Sequence, residues 1–142
     1  MVPAFFRLVN RFEDLKPHRF EALAAVAGLL ALVRKGDFRD DMPPIQKQLA
    51  MPAEGGTRPR MSDLRFRQLI KSRDIEELYR RFRRALALLG RKANILSLAD
   101  LVLQWADENR YRTHAEPTKQ FQFRMAQGYF EEMIAHEKKT AK

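Results

Sequence analysis

Between Arg58 and Lys92 the chain collects the side chains best suited to gripping phosphate. Ten arginines (Arg58, Arg60, Arg65, Arg67, Arg73, Arg80, Arg81, Arg83, Arg84 and Arg91) and two lysines (Lys71 and Lys92) stand against four acids, Asp63, Asp74, Glu76 and Glu77. The stretch carries +8 of the chain's net +9, residues 1–57 carry +1 and residues 93–142 are neutral. A planar guanidinium offers a fork of N–H donors that matches a phosphate or carboxylate in two-point contact, which a lysine ammonium cannot do. Lysines scattered evenly would be there for solubility. Arginines concentrated in one band on a neutral body are the footprint of contact with nucleic acid or another polyanion.

Other chemistry has little to stand on. The chain has no cysteine, so disulfides, thiol catalysis and thiolate metal sites are excluded. His18, His114 and His136 share no helical spacing, and surface or capping roles are expected of them. Asp40–Asp41 and Glu131–Glu132 are adjacent acids of the kind usually left as solvated charge. No phosphate-binding loop, dinucleotide-binding glycine pattern or nucleophile elbow is present. The expectation is a protein that is not an enzyme, with no cofactor and no metal. Trp105, Phe121 and Phe123 have the ring systems for stacking on bases, but aromatics at helical spacing among leucines belong to a core. Tyr111, between Arg110 and Arg112, is the aromatic whose role stays open.

These side chains need helices to position them. No segment alternates with a period of two, and the apolar spacing points throughout to an all-α, compact helical bundle of about five to seven helices in a single domain, 1–142. VPAFFRLVNRF opens with a short helix carrying Phe5, Leu8, Val9 and Phe12. Pro17 suits the first turn of the next, whose main stripe runs through Phe20, Leu23, Ala24, Ala27, Leu30 and Ala31, widened by Val26, Leu29 and Val33. Gly28 allows a close helix crossing, and Arg34-Lys35-Gly36 ends the element. Its apolar run, Ala22 to Val33, is shorter than the roughly 18 residues a bilayer span requires.

Residues 37–57, with Pro43-Pro44, Pro52 and Gly55-Gly56, are expected to form a mobile loop holding one short helix at Ile45–Ala50. Ser62 then caps a helix with Leu64, Leu69 and Ile70 inward and Arg65, Arg67 and Lys71 outward. Asp74 caps the next, in which Ile75, Leu78, Tyr79, Phe82, Ala85, Leu86 and Leu89 form one stripe. At 100° per residue Arg80, Arg81, Arg83 and Arg84 fall on the opposite arc, and Gly90 stops the helix. Asn94 caps a helix bearing Ile95, Leu98, Leu101, Val102 and Trp105, and Asp107 to Glu116 read as a polar connection. Pro117 starts the last helix, with Phe121, Phe123, Met125, Phe130, Met133 and Ile134 as its apolar content, and residues 137–142 read as a frayed tail. The basic helices lack exposed bulky apolar residues to insert into lipid, so no membrane partner is expected, and a cytoplasmic location is.

The order of motifs is similar to one family. VPAFFRLVNRF, a proline-initiated apolar helix, PIQKQLA, MSDLRFRQLIKSRD, the arginine-rich RRFRRALALL and a helix ending LVLQWA resemble the small subunit (CasB) of the type I-E CRISPR surveillance complex, Cascade. The resemblance covers Val2 to about Phe130. It implies an α-helical subunit without catalytic activity, present as two copies stacked head to tail. The implied partners are the backbone and large subunits, the crRNA guide and the single-stranded, displaced non-target DNA, whose retention stabilises the R-loop. Family members usually carry a further helical segment before the PAFFRLV-like helix, where this chain begins. The resemblance places strand contacts at or near Arg19, Lys71, Arg73 and Arg110, with Lys47 and Arg65 as neighbours; Arg19 is offset by one from the family's basic position, and His18 occupies the aligned place. The basic band adds Arg60, Arg67, Arg80, Arg83 and Arg84 to the candidate nucleic-acid contacts. Two other functions fit a basic all-α protein. One is a scaffold whose basic face docks on acidic protein partners, and the other is a small DNA-binding regulator.

Overall fold

The computed structural model describes residues 17–34, 42–111 and 120–140. The VPAFFRLVNRF helix, Pro117, His114 and the side chains of His18 and Tyr111 lie outside what it describes. Six helices make up the described fold: α1 (Pro17–Leu30), α2 (Ile45–Ala50), α3 (Asp63–Ile70), α4 (Ile75–Leu88), α5 (Ile95–Tyr111) and α6 (Phe121–Thr140). No strand occurs among the described residues, only an isolated bridge between Pro52 and Pro59. The all-α bundle expected from the periodicity is the fold observed.

α1 packs against α4 and α5, α2 against α6, and α3 against both α4 and α6. α1 begins at Pro17, as the sequence indicated, but buries a different stripe. Ala22, Val26 and Leu29, with Val33 in the turn that follows, enter the core, whereas Phe20 is 44% exposed and Ala24, Ala27 and Ala31 face outward. A helix apolar on most sides can dock through more than one stripe, and here α4 and α5 together take the one at i, i+4, i+7 and i+11. Gly28 does what a close crossing requires: a Cβ there would meet the Tyr79 ring of α4 at 3.0 Å.

The stretch expected as a mobile loop contains α2 at the expected position, and most of α2 is buried. Ile45 N–H donates to Ser97 Oγ at 2.9 Å, and the Gln48 side chain reaches Lys92 O at 3.3 Å and accepts from Asn94 N at 2.9 Å. Ile45, Leu49 and Ala50 are in the core. Beyond α2 the chain doubles back, with Arg60 N–H donating to Met51 O and Met61 N–H to Leu49 O. These bonds satisfy backbone groups that a free loop would leave to water.

Ser62 and Asp74 cap α3 and α4 as anticipated, accepting from Arg65 N and Glu77 N at 3.3 and 2.8 Å. In α3, however, Leu64 is 68% exposed and Phe66 takes the inward place with Leu69 and Ile70. Leu64 lies two positions from Phe66, about 200° around the helix, so both cannot face the core. α4 buries the stripe the spacing indicated and ends in Gly90 at φ +65. α5 begins under the Asn94 cap, with Ser97 N–H donating to Asn94 Oδ1 at 3.1 Å. It runs to Tyr111, through residues expected to form a connection, because no glycine or proline interrupts it before Pro117. α6 likewise continues to Thr140, taking in most of the charged tail. Its largest fully buried side chain is Tyr129, which stacks on Phe66 with ring centroids 3.9 Å apart and donates to Met61 O at 2.5 Å. Burial pushes the Tyr129 phenol up to about 12, with the Asp63 carboxylate adding to the shift.

Candidate nucleic-acid interface

α4 turns one face to the core and the other to solvent, and the solvent face holds the candidate interface. Arg80, Arg83 and Arg84 are exposed there and make no ion pair or side-chain hydrogen bond with any described residue. Burial of Leu78, Phe82, Ala85 and Leu86 on the opposite side leaves them no other direction. Arg81, expected on the same arc, departs from it. Its guanidinium is half-buried, 2.5 Å from Glu77 Oε1, and donates to Gln68 O at 2.5 Å and to Ser72 Oγ at 3.3 Å. Arg81 lies 100° from Arg80 toward Glu77, its i−4 neighbour, and the carboxylate draws it against α3.

Four of the positions implied by family resemblance, Arg19, Lys71, Arg73 and Arg110, lie toward one end of α4. Lys71 and Arg73 sit exposed in the α3–α4 turn on either side of buried Ser72. Trp105 Nε1–H of α5 donates to Ser72 O at 3.3 Å, which anchors that turn to α5. Arg110, exposed near the end of α5, lines with Asp74, Ile75, Trp105 and Asn109 a groove of about 440 Å³. Arg19 of α1 reaches the same part of α5, where its Nε and Nη2 donate to Asp107 at 3.1 and 2.6 Å. Arg19 is thereby engaged as a clamp between α1 and α5. Arg73 is 87% exposed, with only a long 3.7 Å approach to Glu77.

The remaining candidates lie elsewhere. Arg65 is exposed on α3 without an ion pair among the described residues. Arg67 is held by Asp63 at 2.8 Å and lies over the Phe130 ring, 5.4 Å from its centroid, so it is drawn toward α6. Lys47 is half-buried on α2. Arg60 and Lys92 line a cavity of about 230 Å³ near the C-terminal end of α4. Arg34, outside the basic band in sequence, joins them there, because its N–H donates to Arg91 O at 3.0 Å. Arg34, Arg91 and Lys92 are all exposed. Their position suits the negative end of the α4 dipole. The only signal for Arg34 in the sequence is its place at the end of α1, far from the band. Bases thus flank both ends of a helix of 14 residues, about 21 Å long at 1.5 Å per residue.

Trp105 and Phe121 are buried, as core aromatics should be, while Phe123 is 41% exposed. His136 Nε2 lies 3.1 Å from Glu132 Oε1, a surface role. Both Glu108 oxygens accept from Phe121 N–H, at 3.1 and 3.0 Å, and so cap α6. Burial pushes this carboxyl above its ordinary range, against the opposing pull of that hydrogen bond and of Arg124. Among the described residues no group of His, Asp and Glu gathers as a metal site, and no helix is long and apolar enough to cross a membrane.

No curated protein and no solved structure matches the chain. A family model does, over residues 1–130, and its description is CRISPR-associated protein Cse2.

Proposed function

The chain belongs to the CRISPR-associated Cse2 family, the small subunit of the type I-E Cascade complex, and from that premise we propose that it is a non-catalytic subunit holding the displaced DNA strand. The observation that carries this reading is the outer arc of α4, where Arg80, Arg83 and Arg84 stand exposed and uncommitted between two further groups of bases. Arginines with no partner among the described residues keep their donors for an outside anion. Lys71, Arg73 and Arg110 extend the track at one end of α4, and Arg34, Arg91 and Lys92 extend it at the other. The contacts are to phosphates, which position a strand without reading its sequence.

The energetics suit such a role. Opening a DNA duplex against an RNA guide exchanges one set of base pairs for another of similar stability, so modest contacts to the displaced strand shift the balance. In this reading the partners are the backbone and large subunits, a second copy of the chain, the crRNA and the non-target strand, in the cytoplasm. Neither a metal nor a cofactor takes part.

The test is to assemble the complex with the other Cascade subunits and guide RNA, with and without this chain, and to compare R-loop lifetimes on a target duplex. Stoichiometric capture and a shorter lifetime on omission are expected. Capture with an unchanged lifetime would leave the chain a scaffold that docks on acidic protein neighbours. Affinity of the isolated chain for one duplex sequence over others would make it a DNA-binding regulator.

A further inference from the structure

Arg81 and Glu77 look superfluous to a strand-binding surface, since one is half-buried and the other almost wholly so. Their contacts suggest otherwise. Arg81 donates to Gln68 O, a carbonyl in the last turn of α3 that has no intrahelical N–H to accept beyond the one from Lys71 at 3.3 Å. It also donates to Ser72 Oγ, whose hydroxyl in turn donates to Leu69 O at 2.7 Å. Glu77 sits between Arg81, at 2.5 Å, and Arg73, at 3.7 Å. Trp105 holds the Ser72 carbonyl from the other side. Three consecutive residues therefore alternate: Lys71 out, Ser72 in and anchored, Arg73 out.

We propose that the Arg81–Glu77 pair is a positioning device for nucleic-acid binding. It holds the α3–α4 turn so that Lys71 and Arg73 project together toward the strand, and neither Arg81 nor Glu77 touches phosphate. The proposal rests on the strand-holding function above and assigns the α4 arginines two jobs: Arg80, Arg83 and Arg84 contact the strand, and Arg81 sets the turn. The charge of Arg81 is spent on Glu77, and its donors on α3 and Ser72.

The experiment measures binding of the full chain to a fluorescein-labelled oligo-dT strand by anisotropy over a range of salt, with thermal melting of each variant alongside. Glu77→Gln removes an acid from a basic surface, so general electrostatics alone would tighten binding. Positioning requires weaker binding instead, because Arg81 loses its anchor and Arg73 its guide. Arg81→Lys keeps the charge but cannot reach Glu77, Gln68 and Ser72 together. It is expected to weaken binding as much as Lys71→Ala/Arg73→Ala does, roughly tenfold or more at 0.1 M salt, with the salt slope shallower by about 1.4 for two phosphates lost. Adding Arg81→Lys to Lys71→Ala/Arg73→Ala should then cost nothing further. Tighter binding by Glu77→Gln, wild-type binding by Arg81→Lys, or losses that simply add would each overturn the proposal. If Lys71→Ala/Arg73→Ala itself binds like the native chain while Arg80→Ala/Arg83→Ala/Arg84→Ala does not, the positioning role fails and the strand-holding function survives. If neither set changes binding, both fall.

Discussion

The outer arc of α4 and the junction where α2, α3 and α6 meet put opposite demands on their side chains. At the junction Phe66 and Tyr129 stack, Phe130 meets both rings edge-on, and the Tyr129 hydroxyl is bonded to Met61 O. Gln46 of α2 lies so near Gly128 of α6 that a Cβ there would come within 2.4 Å of its Cγ. On the α4 arc three long cationic side chains make no ion pair or side-chain hydrogen bond with any described residue. Contacts satisfied within the fold stabilise the native state, whereas donors left open cost the fold little and remain available for a ligand. Arg81 shows how short the distance between the two regimes is. One residue from Arg80, it is absorbed into the structure because a carboxylate stands four positions before it.

That contrast is open to attack from both sides. Phe66→Ala should have the largest effect, a loss of about 3–5 kcal/mol in denaturant unfolding, through the cavity and the lost stack. Arg80→Ala/Arg83→Ala/Arg84→Ala should leave the unfolding midpoint unchanged while single-strand affinity falls about a hundredfold at 0.1 M salt, with a slope shallower by about 2.1. If that variant instead unfolded more readily, the arc would be structural and the contrast lost. Gly128→Ala should destabilise by roughly 1–3 kcal/mol despite the higher helix propensity of alanine, because the added Cβ overlaps the buried Gln46 side chain and one of the two must shift.

Tyr129 offers a finer probe. Its phenol titrates near 12 in the folded chain and near 10 when unfolded, so above pH 10 the unfolded chain releases the proton first. Stability should be insensitive to this group below pH 10 and fall as pH rises from 10 toward 12. Tyr129→Phe should abolish that part of the slope in pH-dependent melts. The smallest effect belongs to Asp63→Asn, which breaks an exposed pair with Arg67 and should change stability by less than about 1 kcal/mol.

Much of this was legible in the sequence because it depends on neighbours within a turn or two. The caps Ser62, Asp74 and Asn94, the buried stripe of α4, the short α2 and the helical class all follow from spacing and local hydrogen-bonding chemistry. Where the structure departs from those expectations, the chain offers chemically similar options. α1 carries two apolar stripes, and nothing in its own sequence says which one α4 and α5 will cover. Leu64 and Phe66 both suit a core, and only the position of α6 selects the phenylalanine. Tyr129, absent from the apolar content expected of the last helix, is buried with its hydroxyl donated to Met61 O.

The same division holds at the candidate interface. The sequence alone determined that arginines crowd one quarter of the chain and that α4 must show most of its arginines to solvent, since charge and helical period are local properties. Only the tertiary structure decided that Arg81 and Arg19 are spent on Glu77 and Asp107, that Arg34 joins the far end of α4, and that Arg110 comes beside the α3–α4 turn. An ion pair between residues 88 positions apart, as for Arg19 and Asp107, forms because the packing of α1 on α5 brings the two ends together, and no sequence period encodes it.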